Sequence, residues 1–207
     1  MSVPSVVVFD LGKVLVDFDY SIAAAKIAPR VKLTLEQAYQ ALAQSPLLQR
    51  FETGLITNEQ FAVEVCATCG FSGTMDEFCE AFADIFSEIK PMIALHGALR
   101  ANGIPTCILS NTNDLAVGHI RRRFPFFADF DNYILSYELG VMKPDPKIYE
   151  AVESATGRAG EEIVYIDDRA ENVEGGLARG WRVILHETPE KTIAALRQMG
   201  LPVNANL

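Results

Sequence analysis

The chain has no long apolar run and no run of basic residues, and each absence narrows what it can be. Its apolar stretches, such as Val6 to Phe9, stop far short of the ~20 residues that a membrane-spanning helix needs. No basic start followed by an apolar stretch marks a signal peptide, so the expected location is cytoplasmic. The 18 Lys and Arg are outnumbered by 27 Asp and Glu, for a net charge of −9. A cationic face able to hold nucleic acid or an anionic membrane is therefore missing. The expected partners are small molecules and cations, with no nucleic acid and no membrane, for a monomer or small homo-oligomer.

Histidine and cysteine are sparse. The 4 cysteines, in a chain of this length with no leader, do not form a disulfide framework. Cys66 and Cys69 have the spacing of a metal or redox pair, but they fall inside a helical pattern from Glu59 to Cys69 with no second pair nearby. The 3 histidines, His96, His119 and His186, lack partners at helical spacing, which argues against a zinc site.

What the sequence does contain is an α/β alternation. Runs rich in Val, Ile, Leu and Tyr at Ser5 to Phe9, Thr106 to Leu109, Asn132 to Leu135, Ile163 to Ile166 and Arg182 to Leu185 read as buried parallel strands. Helical patterns lie between them, two of them opened by a capping residue and a proline: Asp145-Pro146 and Thr188-Pro189. This alternation predicts a doubly wound, Rossmann-like parallel sheet, in which ligands bind at the carboxyl ends of the strands. From Asp17 to Lys90 the rhythm changes. No strand is evident there, while Thr34 with Gln37, Thr57 with Gln60 and Thr74 with Glu77 form capping-box patterns. The segment reads as all-helical, its last helix burying Phe78, Phe82, Ile85, Phe86 and Ile89 on one face. The predicted division is a core of residues 1–16 and 91–207 with a helical cap, residues 17–90, inserted above the first strand. A lid belongs there.

Chemistry-bearing residues collect at the strand ends. The first strand runs into Phe9-Asp10-Leu11-Gly12, the second into Leu109-Ser110-Asn111-Thr112-Asn113 and the fourth into Asp167-Asp168, with Lys143-Pro144 between the third and fourth. Each has an ordinary reading as a cap, a turn hydroxyl or a solvated charge. Adjacent Asp167 and Asp168 are harder to explain so, because neighbouring acids at a buried strand end repel unless something positive lies between or beside them. Together the groups suit phosphoryl transfer. A carboxylate at Asp10 can attack phosphorus, and magnesium (Mg2+) takes one or two carboxylates plus a phosphate. Lys143 would neutralise Asp10 and the phosphoryl oxygens, with Ser110 and the Asn111 amide donating hydrogen bonds to those oxygens.

In these four motifs, taken in order, the chain resembles the haloacid dehalogenase superfamily of phosphohydrolases. The strings Phe9-Asp10-Leu11-Gly12, Leu109 to Asn113, and Asp167-Asp168 with Asn172-Val173-Glu174-Gly175 look closest to bacterial sugar-phosphate phosphatases of the α-glucose-1-phosphatase type. The resemblance implies a magnesium-dependent phosphatase of a small phosphorylated metabolite, with Asp10 as nucleophile and Lys143 and Ser110 catalytic. Substrate would be bound by Ser110, Asn111 and Lys143, and the metal by Asp10, the Gly12 carbonyl, Asp167 and Asp168, with Asp168 alternatively holding Lys143 in place.

One position departs from the pattern. Most phosphatases in the family carry a second Asp, two residues past the nucleophile, as general acid and base; here it is Gly12. Losing such a group costs about 10²- to 10⁴-fold. Dehalogenases also lack it, since a halide leaves without a proton, but they need no magnesium. A sugar 1-phosphate, with its more acidic anomeric hydroxyl, would tolerate the loss better, and Asp17 or Asp19 could supply the proton through water. A weakly catalytic relative that binds a metabolite or a protein is the non-enzyme alternative. In the cap, Arg50, Glu52 and Thr53 ahead of Gly54 form a polar patch suited to substrate selection or to an exposed helix end. Lys13, where small or amide residues are usual, either adds local positive potential or points to solvent.

Overall fold

The computed structural model of the chain describes residues 3–34, 36–37 and 46–203. At its centre is a five-stranded, all-parallel sheet of β1 (Val6–Phe9), β4 (Thr106–Ser110), β5 (Asn132–Leu135), β6 (Ile163–Asp167) and β7 (Arg182–Leu185), in the order β5-β4-β1-β6-β7. These are the five strands expected from the sequence. β4 and β6 extend one residue further than read there, so that Ser110 and Asp167 are strand residues and not loop residues. Successive side chains of a strand point to opposite faces, and the three central strands β4, β1 and β6 are buried on both, which is why they are mostly apolar. Val7, Phe9, Ile108, Val164 and Ile166 enter one core, while Val6, Val8, Cys107, Leu109, Ile163 and Tyr165 enter the other.

The first core is covered by α5 (Lys90–Ala101), α6 (Asp114–Arg123) and α10 (Pro189–Gln198), through residues such as Met92, Leu95, Val117, Ile120 and Leu196. The second is covered by α8 (Pro146–Thr156), through Ile148, Tyr149 and Val152, together with Trp181. Asp145 and Thr188 cap α8 and α10, with proline in the first turn of each, as their sequences require. Strand order reverses at β1, so the strands β4, β1 and β6 present their carboxyl ends around a crevice of the kind that binds ligands in open α/β sheets.

Between β1 and β4 lie α1 (Tyr20–Ile27), α2 (Leu47–Glu52), α3 (Asn58–Cys69) and α4 (Met75–Ala83). They pack around a third apolar cluster that includes Leu47, Phe51, Phe61, Val65 and Phe78, with Phe51 and Phe61 stacked at 4.1 Å between centroids. All three capping boxes form, with side chain and backbone bonded reciprocally at Thr34 and Gln37, Thr57 and Gln60, and Thr74 and Glu77. Cys69 is buried in this cluster, Cys66 packs against it, and all four cysteines are free.

The segment is not all-helical. β2 (Val16–Phe18) pairs antiparallel with β3 (Phe86–Glu88), a two-stranded ribbon where the chain leaves and re-enters the sheet domain. Helix α4 accordingly ends at Ala83, and Phe86 and Ile89 pack against the first core of the sheet, while Phe78 and Phe82 stay with the third cluster. Three-residue strands are too short to show alternation, and their partner lies some 70 residues away, so spacing that looked helical continued across a real boundary. No helix among the described residues is long and apolar enough to cross a membrane.

Candidate active site

Three strand ends meet in this site. Asp10 directly follows β1, its backbone N–H bonded to Ile166 O of the neighbouring β6 at 2.9 Å, and Ser110 and Asp167 close β4 and β6. Lys143 comes in on the loop ahead of α8. That loop is braced by Asn111, whose side-chain oxygen accepts from Lys143 N (2.7 Å) and whose amide donates to Lys143 O (3.1 Å). The Asn111 side chain therefore positions the lysine, a role not read from the sequence.

Lys143 Nζ is buried and lies 2.9 Å from Asp10 Oδ1, 2.7 Å from Asp167 Oδ2 and 3.0 Å from Leu109 O. An ammonium has three N–H donors, and all three are taken. In this arrangement Lys143 acts on an incoming anion through its field and not through a free N–H. Burial works against its charge, but Asp10 and Asp167 more than offset that and hold its pKa up. Asp10 is pushed the other way: burial, the largest cause, raises its carboxyl above the usual range, Lys143 pulls it down and Asp167 raises it again. Leu11 N also donates to Asp10 Oδ1, at 2.7 Å, so Oδ1 is doubly held, while Oδ2 has no bond to any described residue.

Asp167 is fully buried and accepts from four donors: Lys143, the Tyr165 hydroxyl, Arg169 N at 2.9 Å and the Asn172 amide at 3.0 Å. A carboxylate offers about four lone-pair sites, so Asp167 is saturated. Asp168 is half-buried, and burial together with the charge of Asp167 raises its carboxyl. It is thus Asp167, and not Asp168, that holds Lys143. Tyr165 and Asn172 were missed as site residues. The signal for Asn172 was its place five residues after Asp167, in the first turns of α9 (Ala170–Leu177), which turns its amide back onto the strand end.

Ligand atoms of Asp10, Asp167 and Asp168 lie within 4.8 Å of one another. Three carboxylates against one ammonium leave two negative charges unmatched, the charge of one divalent cation, and an all-oxygen donor set suits magnesium. The residues fit such an ion. Gly12 sits in a tight loop, bridged to Val16, and the ring of Phe18 lies beside it, with Cε1 3.0 Å from where a Cβ on residue 12 would stand.

Other candidates point away. The Lys13 ammonium pairs with Asp17, donates to Phe18 O and lies 4.6 Å from the centre of the Phe18 ring, so it does not reach toward the crevice. Asp19 caps α1. Both acids are exposed and hold their carboxyls low, Asp17 through the bond from Lys13 and Asp19 through the bonds from Ser21. Arg50 pairs with Glu64, while Thr53, whose hydroxyl bonds back to Gln49 O at 2.8 Å, lines a cavity together with Lys143. Glu52 differs: burial pushes its carboxyl up to about 7, against the pull of Arg169 and Lys143, and its carbonyl accepts from Ser136 Oγ, which in turn accepts from Thr112 N in the loop after Ser110.

Residues 4–180 match the haloacid dehalogenase-like hydrolase family. The chain belongs to that family. Among curated proteins, this haloacid dehalogenase-like hydrolase is 27% identical over 192 residues to the D-ribitol-5-phosphate phosphatase of Bacteroides thetaiotaomicron, covering 87% of the chain and 91% of the relative. A haloacid dehalogenase family enzyme from the same organism, solved in complex with magnesium and inorganic phosphate, shares the fold at a TM-score of 0.75 and 23% identity, covering 89% of this chain and 94% of that one. An L-2-haloacid dehalogenase from Xanthobacter autotrophicus shares it at a TM-score of 0.62 and 20% identity, covering 92% and 81%. Phosphatase and dehalogenase thus both occur on this fold, and the chemistry of the site has to separate them.

Proposed function

We propose that this hydrolase is a magnesium-dependent phosphatase acting on a small phosphorylated metabolite, a sugar or sugar-alcohol phosphate, with Asp10 as nucleophile. The observation that carries the reading is the acidic trio. Haloacid dehalogenation needs no metal, and for it Asp168 beside Asp10 and Asp167 would be an uncompensated cost. For a phosphatase the same charges hold the cation, which when bound screens the repulsion between an anionic nucleophile and an anionic ester. The relative named for D-ribitol 5-phosphate supports the substrate class. It also weakens the case for a sugar 1-phosphate, because that relative acts on the ester of a primary alcohol.

The residues divide the work as follows. Lys143 holds Asp10 Oδ1 and leaves Oδ2 free for attack on phosphorus, forming an aspartyl phosphate. Ser110 and the backbone after it line the anion's position at the end of β4. Of the adjacent acids, Asp168 with Asp10 and the Gly12 carbonyl would hold magnesium, while the saturated Asp167 fixes Lys143 and supports the ion through its charge. Residues 17–90 serve as the cap. Ser136 Oγ donates to Glu52 O at 2.6 Å, which docks α2 onto α7 (Ser136–Leu139) at the end of β5.

The test is phosphate release from a panel of sugar and sugar-alcohol phosphates, with and without EDTA, using Asp10→Asn as control. Turnover of at least one ester, lost with EDTA and reduced about 10³-fold or more in the variant, is expected. Metal-independent chloride release from a 2-haloacid, or equal activity of variant and wild type on every ester, would overturn the reading.

A further inference from the structure

The reaction above leaves one proton unassigned. No acid stands at Gly12, the Phe18 ring occupies the space beside it, and Asp17 and Asp19 are exposed and held as carboxylates. Asp168 is committed to the cation. The cap brings one more carboxyl to the loops at the strand ends, that of Glu52, whose carbonyl is tied through Ser136 to the backbone of Thr112.

Glu52 ends α2, and the architecture fixes that end firmly. Ser136 Oγ, which donates to Glu52 O, also accepts from Thr112 N at 2.9 Å, so one hydroxyl ties the cap to the loops after β4 and β5. Two residues on, Gly54 seats against Tyr137 so closely that a Cβ would stand 2.1 Å from the Tyr137 carbonyl oxygen. A cavity of about 470 Å³ lined by Gln49, Thr53 and residues 140 to 145 separates this end of the cap from the loop that carries Lys143. The half-buried Glu52 carboxyl lies within electrostatic reach of Arg169 and Lys143 from the sheet domain and of Tyr20 from α1, yet it forms no ion pair with any described residue. Burial pushes it up to about 7, so acid and base forms are both accessible near neutral pH.

Resting on the phosphatase reading, we infer that Glu52 is the general acid and base of this enzyme, carried by the cap in place of the acid missing at position 12. As Asp10 Oδ2 bonds to phosphorus and the bond from phosphorus to the leaving oxygen breaks, the Glu52 carboxylic acid gives that oxygen its proton and the alcohol departs. In the second half, the Glu52 carboxylate takes a proton from water whose oxygen bonds to phosphorus. The bond from phosphorus to Asp10 breaks, inorganic phosphate leaves, and Asp10 is again a carboxylate and Glu52 an acid. Because the acid travels with the cap, chemistry can begin only when the cap is docked.

The discriminating variable is the leaving group. p-Nitrophenolate leaves without a proton, whereas an alkoxide does not. For Glu52→Gln, release of alcohol from D-ribitol 5-phosphate, or from the alkyl ester the panel shows is released fastest, should fall about 10²- to 10⁴-fold. p-Nitrophenyl phosphate should still give a first-turnover burst of p-nitrophenolate approaching one per enzyme, followed by a stall, because the phosphoenzyme forms but its water is not activated. That burst also reports that the variant is folded. Equal losses on both esters, no loss on either, or a normal steady state after the burst would each overturn the assignment of Glu52. Asp10→Asn, run alongside, must abolish the burst; if it does not, the phosphatase reading itself fails, independently of Glu52.

Discussion

At the scale of single residues, the site is an exercise in matching lone pairs to hydrogens. Lys143 spends three donors on Asp10, Asp167 and Leu109 O, and Asp167 fills its lone pairs with Lys143, Tyr165, Arg169 N and Asn172. What remains less committed, Asp10 Oδ2 and the half-buried carboxylate of Asp168, is what a substrate and a cation would meet. Residue identity was legible in the sequence for Asp10, Ser110, Lys143, Asp167 and Asp168; the division between the two adjacent acids was not, because it depends on which of them turns into the sheet. Away from the site, His96 is buried between layers, stacked on Phe130 at 3.9 Å and 3.1 Å from Thr106 Oγ1. Burial lowers its pKa from 6.5 to about 4. Between those values the unfolded chain takes up a proton that the folded chain refuses, so this stabilising contribution is complete above pH 6.5 and lost as the pH falls toward 4. The loss is on the order of 3 kcal/mol. Urea unfolding of wild type and His96→Phe at pH 7 and pH 4.5 measures it: the difference in stability should move toward the variant by about that amount on acidification. A constant difference would mean that folded His96 protonates normally.

At the scale of elements, the strands and capped helices were readable because each carries its cause locally, in buried β-branched runs or in capping boxes. The ribbon of β2 and β3 was not, since neither strand has a local signature and each exists through the other. Docking of α2 is likewise a property of two elements, and it has its own test. Gly54 combines a φ of +67° with the close approach to Tyr137, whereas Gly140, at +78°, would have nothing within 4 Å of a Cβ. Alanine at either position carries the left-handed penalty of roughly 1–2 kcal/mol. Gly54→Ala alone should also lift α2 from the strand ends. It should lower kcat/KM at least tenfold on the best ester of the panel, while Gly140→Ala stays within about threefold at similar thermal stability. Equal kinetic effects would show that the seat of Gly54 does not control the docked cap.

At the scale of the whole molecule, a net charge of −9 pointed to cation partners only diffusely. The fold concentrates that surplus: three carboxylates from two distant parts of the chain share one crevice with one buried lysine. A cation that binds only the folded chain stabilises it, by about 2.7 kcal/mol at 100 times its dissociation constant. For a chain of this size that is roughly 5–10 °C in Tm. Magnesium should therefore raise the melting temperature of the wild type by about that much. EDTA should reverse the rise and Asp168→Asn should remove most of it; an unchanged shift in the variant would take Asp168 out of the metal site. The sequence alone determined the five strands of the parallel sheet, their order of appearance, the helical character of most of the insert and the residue types at the strand ends, because buried parallel strands and capped helices write their physics into adjacent residues. Tertiary structure alone decided that Asp167 anchors Lys143, that Asn111 braces it, that a ribbon joins the insert to the sheet, and that Glu52 is desolvated where the insert meets Ser136 while Asp17 and Asp19 stay exposed. Those are relations between segments far apart in the chain, and which lone pair stays free, or which carboxyl is desolvated, is settled only when the segments pack.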